Sequence, residues 1–149
     1  MIGIKDKFVI YGCGGMGLFG KDRFDESNEW RVDLKQTFEE VSDGKVIFIN
    51  LNDHFNFLDR TTYDSEREIM DYDLYRVRNS DLIITNFNDP KSIGSACEMA
   101  IAHEKRIPII GLRENNEELH PWLTCFCNRI FTDREELKLY VIDHYIKGD

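Results

Sequence analysis

Glu98 is an acidic residue whose sequence neighbourhood suits nucleophilic chemistry. It stands three residues after Ser95, in the Ser-x-x-Glu spacing of a capping box, and a glycine-containing loop precedes the pair. A carboxylate in the first turn of a helix is kept ionised by the positive end of the helix dipole, as a nucleophile requires at neutral pH. The same spacing also has a purely structural use, because a glutamate there bonds the backbone N–H of the cap residue. The pattern alone leaves both interpretations open.

Asp73 is a second acid in an unusual position. It lies on the apolar face of its predicted helix, where Ile69, Met70, Leu74 and Val77 surround it. An acid on such a face must be paired, exposed at a crevice, or raised in pKa so that it stays protonated. The last two conditions suit a general acid, whereas a carboxylate solvated at the rim of the sheet would be structural. The position therefore predicts one of these two roles.

Short apolar runs alternate with amphipathic segments and predict the elements that must position these acids. Strands are expected at residues 8–11, 46–49, 81–85, 107–110 and 129–131. Helices are expected at residues 28–41, 65–79, 95–104, 117–125 and 132–145, three of them opening on capping boxes at Ser65, Ser95 and Thr132. The alternation predicts a single domain over residues 1–149, with a five-stranded parallel sheet in a flavodoxin-like or Rossmann-like three-layer α/β sandwich.

The carboxyl ends of the strands are the expected ligand site, because α/β sheets of this kind bind ligands in the crevice beyond those ends. Three predicted segments meet there: residues 11–15 after the first strand, the helix that precedes the third strand, and residues 86–95 after the third strand. Residues 50–63 form a further long segment without clear periodicity, and long loops of this kind are often functional.

The first strand ends in a glycine-rich segment that contains Gly12, Gly14, Gly15, Gly17 and Gly20. A P-loop is excluded, because no Gly-Lys-Ser or Gly-Lys-Thr follows. Residues 12, 14 and 17 match the spacing of the G-x-G-x-x-G dinucleotide fingerprint, but Asn50 rather than an acid ends the second strand. No helix is predicted to begin within the glycines either. The fingerprint therefore gives little support to dinucleotide binding.

The composition of the chain excludes several partners. Nineteen Lys and Arg against 28 Asp and Glu give a net charge of -9, which repels nucleic-acid backbones and anionic membrane surfaces. No apolar run could span a membrane, and the charges in residues 1–7 do not fit a signal peptide, so a cytoplasmic protein is expected. The cysteines lack the spacing of a zinc site and are expected to be reduced, partly buried thiols; they are Cys13, Cys97, Cys125 and Cys127. No metal or cofactor is expected.

Several short motifs, taken in chain order, carry a resemblance to a known family. They are Tyr11-x-x-Gly14, Trp30-Arg31, Asp73-Leu74-x-x-Val77, Ser92-x-Gly94-Ser95-Ala96-x-Glu98 and His120-Pro121-Trp122. Together they resemble the nucleoside 2-deoxyribosyltransferase family, whose superfamily also contains 2′-deoxynucleoside 5′-monophosphate N-hydrolases. The resemblance spans nearly the whole chain. It implies a flavodoxin-like fold and a small-molecule substrate, with active sites shared between the subunits of a homodimer or larger homo-oligomer.

The resemblance also implies a role for individual residues. Glu98 would attack C1′ of a deoxyribosyl substrate, Tyr11 would orient Glu98, and Asp73 would serve the departing base. By analogy with retaining glycosidases, a covalent deoxyribosyl-enzyme would follow. The residues expected to bind the substrate are Gly12, Gly14, Gly15, Asp89, Ser92, Gly94, Ser95 and His120. The last of these would reach a sugar bound by a neighbouring subunit.

The substrate class stays open at this stage. Transferases of free nucleosides often carry an aspartate six residues before the nucleophile, where this chain has Ser92. Ser92-x-Gly94 resembles the phosphate-binding segment of the monophosphate hydrolases, and a hydroxyl with helix-start N–H groups suits a 5′-phosphate. Gly15, however, stands where those hydrolases tend to have another serine. We expect a deoxyribosyltransferase, with the monophosphate hydrolase as the alternative; a non-catalytic nucleotide-binding module and an NAD glycohydrolase are further hypotheses.

Overall fold

A sheet of five parallel strands forms the centre of the molecule. The computed structural model describes residues 7–15, 21–53 and 65–147. The strands are β1 Phe8–Gly14, β2 Val46–Ile49, β3 Leu82–Asn86, β4 Ile109–Leu112 and β5 Arg129–Phe131. Their spatial order, β2-β1-β3-β4-β5, is that of the flavodoxin-like folds, in which the strand order reverses between β1 and β3. The predicted fold class is confirmed.

Helices cover both faces of this sheet. They are α1 Lys21–Val41, α2 Glu66–Arg78, α3 Ile93–Glu104, α4 Pro121–Phe126 and α5 Arg134–Val141, which continues into a π-helical turn at Ile142–Ile146. On one face α1 packs with α5, and the core there contains Trp30, Leu34 and Leu137. On the other face α3 packs with α2 and α4 around Val77 and Met99. In the described ranges, none of the helices combines the length and apolar composition needed to cross a membrane.

Two helix caps differ from the sequence prediction. α3 begins directly after Ser92, because the Oγ of Ser92 accepts the backbone N–H of Ser95 at 3.2 Å and caps the helix. The cap predicted at Ser95 is therefore wrong. α5 is capped by Asp133, whose carboxylate accepts a backbone N–H two residues further on at 3.1 Å, and the cap predicted at Thr132 is wrong as well.

The other boundaries agree with the prediction to different degrees. The cap at Ser65 is confirmed, since its Oγ accepts the N–H of Glu68 at 3.1 Å. β2 and β5 coincide with the predicted strands, whereas α1 begins well before the predicted residue 28. α4 is shorter than expected because it begins at Pro121, a residue favoured at the first helical position. Gly17, Gly20 and residues 54–63 of the predicted long loop lie outside the described residues.

The four cysteines are free thiols. Cys13 is buried, Cys127 is half-buried, and Cys97 and Cys125 are exposed. This distribution agrees with the prediction of reduced thiols that are partly buried.

Candidate active site

β1 presents two hydrogen-bond donors on one face of the sheet. Tyr11 and Cys13 are two residues apart, so their side chains point to the same face of the strand. Both are fully buried in the core that β1 shares with α3. Tyr11 donates its O–H to Oε2 of Glu98, and the thiol of Cys13 donates to Oε1 of the same carboxylate at 3.5 Å. Both carboxylate oxygens of Glu98 are therefore held by donors from β1.

Glu98 lies in the second turn of α3 rather than in the first. Ile93 is the first helical residue, which makes Glu98 the sixth. Because the helix dipole acts mainly within the first turn, the sequence argument that the helix end keeps Glu98 ionised is wrong. The capping role considered for Glu98 is excluded too, since Ser92 caps the helix and the Glu98 side chain is directed to Tyr11.

The protonation of this group follows from burial and hydrogen bonding. Burial raises the pKa of Glu98 above its ordinary value, and the bonds from Tyr11 and Cys13, followed by the charge of Arg31, oppose that rise. Burial first, and then the charge of Glu98, raise the pKa values of Tyr11 and Cys13 well above their ordinary range. The phenol and the thiol therefore keep their protons at neutral pH and remain donors to Glu98.

Asp73 stands on α2, which packs against α3. Its side chain is half-buried, and its Oδ1 is buried without a hydrogen-bond partner in the described part of the chain. Burial, followed by the charge of Glu98, raises the pKa of Asp73 to about 8, although Arg31 opposes the change. At pH 7 Asp73 therefore holds a proton within the electrostatic reach of Glu98, which is the environment that a general acid requires.

Arg31 is a buried cation behind β1, and the sequence placed it within the Trp30-Arg31 motif without indicating a role for it. Its Nη2 donates to the carbonyl of Gly14 at 3.1 Å and its Nε to the carbonyl of Gly12 at 3.5 Å, while Nη1 donates to the carbonyl of Ser27. A sequence signal for this residue did exist. Arg31 precedes Leu34 by three positions on the apolar stripe of α1, where an arginine is as unusual as an aspartate on the apolar face of α2.

The loop between β3 and α3 is organised by local hydrogen bonds. The carbonyl of Asp89 accepts the N–H of Ser92 at 3.1 Å, and the carboxylate of Asp89 accepts the N–H of Lys91 at 3.3 Å. The Oγ of Ser95 donates to the Oγ of Ser92 at 3.0 Å. Gly94 is exposed with open space around it. These residues lie together at the start of α3, and their predicted role in binding substrate stays a prediction.

The glycines at the end of β1 allow neighbouring segments to approach closely. A Cβ added to Gly15 would lie 2.7 Å from the Cβ of Asp89, and one added to Gly12 would lie 2.8 Å from the Cζ of Phe48. A larger residue at position 15 would push the end of β1 away from the loop after β3. Close packing accounts for these glycines, and the substrate contacts predicted for them, and for Gly14, stay predictions.

His120 lies apart from the carboxylates. It caps α4, and its Nδ1 accepts the backbone N–H of Trp122 at 3.1 Å. In the residues that the structure describes, no hydrogen bond or ring contact joins His120 to Glu98, Asp73 or Tyr11. The role predicted for His120 in the site of a neighbouring subunit stays a prediction.

A cavity of about 510 Å³ opens at the carboxyl edge of the sheet, on the α1 side of β1. Its lining includes Trp30 and Asn88, and Nε1 of Trp30 and Oδ1 of Asn88 are buried without hydrogen-bond partners among the described residues. Unpaired buried polar atoms of this kind are typical of places where water or a ligand binds. Glu98 and Asp73 lie on the other face of β1 and do not line this cavity. Within residues 7–15, 21–53 and 65–147, no cluster of His, Cys, Asp or Glu could hold a metal ion.

Comparison with known proteins gives matches at the level of structure. No protein-family model and no curated protein matches the sequence. A solved structure described as a conserved protein from Enterococcus faecalis V583 is 18% identical, with a TM-score of 0.72 over 89% of this chain and 96% of that one.

Two enzymes of known activity are similar in structure. A 2-deoxyribosyltransferase from Bacillus psychrosaccharolyticus is 12% identical, with a TM-score of 0.65 over 87% of this chain and 90% of that one. This chain has the deoxyribosyltransferase fold. A CMP N-glycosidase from Clostridium botulinum shares the deoxyribosyltransferase fold as well, at 16% identity and a TM-score of 0.58 over 89% of this chain and 97% of that one. The resemblance predicted from the sequence motifs is confirmed at the level of the fold.

Proposed function

We propose that this protein cleaves the N-glycosidic bond of 2′-deoxynucleosides and transfers the deoxyribosyl group to a second base. The observation that carries the proposal is a pair of neighbouring carboxyl groups in different environments: Glu98, held by Tyr11 and Cys13, and Asp73, which keeps its proton. A pair of carboxyl groups is the usual nucleophile and acid of glycosidic chemistry. The fold shared with a 2-deoxyribosyltransferase and a CMP N-glycosidase supports the same chemistry.

In the first step a carboxylate oxygen of Glu98 attacks C1′ of the sugar as the C1′–N bond breaks. The electron pair of that bond goes to the base, and Asp73 gives its proton to the base, which leaves as a neutral molecule. The transition state has oxocarbenium character, so the negative charge of Glu98 stabilises it. The products of this step are a deoxyribosyl ester of Glu98 and an ionised Asp73.

In the second step an acceptor base takes the sugar. The Asp73 carboxylate removes an N–H proton from the incoming base, whose nitrogen attacks C1′ and displaces the Glu98 carboxylate. Tyr11 donates to the charge that returns to Glu98. Because each step inverts the anomeric carbon, the product keeps the configuration of the substrate.

A 5′-monophosphate N-hydrolase is the second candidate, and the start of α3 favours it. Ser92 caps the helix, and the N–H groups of the next two residues have no acceptor within the helix. A 5′-phosphate bound there would contact these N–H groups and the Ser92 hydroxyl. Water would then replace the acceptor base, Asp73 would deprotonate the water, and the products would be a free base and deoxyribose 5-phosphate.

The activity is tested by incubating the protein with deoxynucleosides and with deoxynucleoside 5′-monophosphates, each with and without an acceptor base, and separating the products by chromatography. Base exchange identifies a transferase, and free base with sugar phosphate identifies a hydrolase. Release of nicotinamide from NAD would instead identify an NAD glycohydrolase. Ligand binding that survives Glu98→Ala, with no turnover of any substrate, would disprove the proposal in favour of a binding module.

Tyr11→Phe is expected to lower kcat by about 10- to 100-fold with a smaller change in KM, because the substitution removes a donor that favours the ionised form of Glu98. The limb of the pH–rate profile that reports ionisation of the nucleophile should also move to higher pH. Tyr75→Phe, at an exposed tyrosine of α2, is the matched control and should leave the profile unchanged. An unchanged kcat in Tyr11→Phe would show that Tyr11 does not act on Glu98 during the reaction.

Ser92→Asp distinguishes the two substrate classes. Aspartate caps helices well, so α3 should stay intact, while its charge repels a 5′-phosphate. We expect kcat/KM for deoxynucleoside 5′-monophosphates to fall at least about tenfold, with little change for free deoxynucleosides. Ser92→Asn keeps the cap without the charge and is the control. Equal effects of Ser92→Asp on both substrate classes would contradict a phosphate contact at this position.

A further inference from the structure

Arg31 is a fully buried cation whose hydrogen bonds, in the part of the chain described, all go to backbone carbonyls, and its Cζ lies 4.5 Å from the centre of the Trp30 ring. Its guanidinium donates to Gly12, Gly14 and Ser27, and among the described residues no carboxylate forms an ion pair with it. Neutral carbonyls and a neutral indole ring stabilise the guanidinium of an arginine, but they carry no net charge to balance it. A buried charge without a counter-charge is costly, so the charge that balances Arg31 must come from further away.

The carbonyls that Arg31 binds belong to the residues on either side of Cys13. Side chains of a strand alternate between its faces, so Tyr11 and Cys13 point away from Arg31 and toward Glu98. The guanidinium thus binds the back of the strand segment whose front holds the carboxylate. Arg31 and the carboxyl group of Glu98 thus lie on opposite faces of the end of β1.

The groups that face Glu98 leave Arg31 as its source of positive charge. From β1 come the phenol of Tyr11 and the thiol of Cys13, which are neutral, and from α2 comes the acid Asp73, which would repel the anion if ionised. The dipole of α3 acts weakly at its sixth residue. Arg31, from α1, opposes the effect of burial on the pKa of Glu98 and of Asp73 alike.

We propose that Arg31 is a positioning residue for the nucleophile, whose charge behind β1 keeps Glu98 ionised and whose bonds to Gly12 and Gly14 hold Tyr11 and Cys13 in place. The proposal rests on the proposed function in that it assigns Glu98 the role of nucleophile. The coupling of the two charges is nevertheless measurable without any substrate.

The test follows the titration of Glu98 by carboxyl ¹³C NMR in the native protein, Arg31→Met and Arg31→Lys. Methionine keeps the length of the side chain and removes the charge, so the Glu98 midpoint should rise by on the order of one pH unit. Lysine keeps the charge without the planar fork, so the midpoint should move much less. Arg67→Met removes an exposed arginine of α2 and should leave the midpoint unchanged. In turnover assays, the acid limb of the rate profile should move by the same amount as the midpoint.

A folded Arg31→Met protein with an unchanged Glu98 midpoint, and with activity reduced equally at every pH, would show that Arg31 is merely structural. Should that variant fail to fold, the side-chain ¹⁵N signals of Arg31 in the native protein give the second measurement. They should shift at the midpoint of Glu98, and signals that stay constant across that titration would overturn the proposal. Absence of turnover in the native protein, with the NMR coupling intact, would disprove the proposed function and leave the coupling of the two charges standing.

Discussion

Glu98→Gln is expected to abolish turnover, lowering kcat by at least about 10³-fold. Glutamine keeps the size of the side chain and an oxygen that can accept the O–H of Tyr11, so the packing of α3 on β1 should persist. The amide is a poor nucleophile and cannot form the glycosyl ester. The measurement is the initial rate with the deoxynucleoside that the native protein cleaves, together with mass spectrometry of a covalent sugar adduct on the peptide that contains residue 98.

Glu104→Gln is the matched control for this substitution. Glu104 is the exposed last residue of the same helix, and the chemical change is identical. The control should keep the native rate and stability. Native turnover by Glu98→Gln, or a sugar adduct on a different peptide, would show that the nucleophile is another residue.

Asp73→Asn is expected to lower kcat by at least about 100-fold and, at the same time, to stabilise the fold at neutral pH. The pKa of Asp73 is about 8 in the folded protein against an ordinary value of 3.8. Between these values the folded state binds more protons than the unfolded state, so the free energy of unfolding falls as the pH rises. The stability that protonated Asp73 contributes to the folded state is fully present below about pH 4 and is lost as the pH rises through about 8.

Asparagine does not ionise, so its burial does not become more costly as the pH rises. Because the Asp73 side chain is partly exposed, we expect Asp73→Asn to raise the free energy of unfolding at pH 7.5 by roughly 1–3 kcal/mol, as measured by urea denaturation. Asp71→Asn, at an exposed position of the same helix, should change kcat and the free energy of unfolding little. The native rate should decline above about pH 8, where Asp73 loses its proton. A variant that is destabilised at pH 7.5, or a native rate that stays constant to pH 9.5, would exclude a protonated Asp73.

The arrangement of the strands and the position of Asp73 could be predicted from local patterns. The apolar run at residues 46–49 is bounded by polar residues, and it forms β2 as expected. Asp73 was identified because a carboxyl group on an apolar stripe must be neutral or paired, and the structure leaves its Oδ1 buried without a partner among the described residues. In both cases the pattern that predicts the feature lies within a few neighbouring residues of the sequence.

The start of α3 could not be decided locally, because Ser92 and Ser95 both precede residues that fit a first helical turn. In the structure Ser92 caps the helix, and Glu98 is buried with its carboxylate bound by Tyr11, which lies 87 residues away in the sequence. The helix dipole that the pattern indicated consequently acts weakly on Glu98, the sixth residue of the helix.

Cys13 was missed for a related reason. A cysteine in a buried strand is ordinarily a small apolar side chain, and only its position two residues after Tyr11 indicates that it faces the same group. The sequence places Tyr11, Glu98 and Asp73 on three separate elements, and only the order of the strands brings those elements together. His120 shows the opposite case, since its bonds are local and nothing in the described structure brings it to the carboxylates.

The dispersal of the site over β1, α2 and α3 also affects how the protein gains its chemistry during folding. β3, α3 and β4 are consecutive and can associate early, because the chain between them is short. In a chain in which only these elements had associated, Glu98 would lack its contacts with Tyr11 and Cys13. The proposed reaction therefore requires β1 to be paired between β2 and β3, since Tyr11 and Cys13 reach Glu98 from that strand.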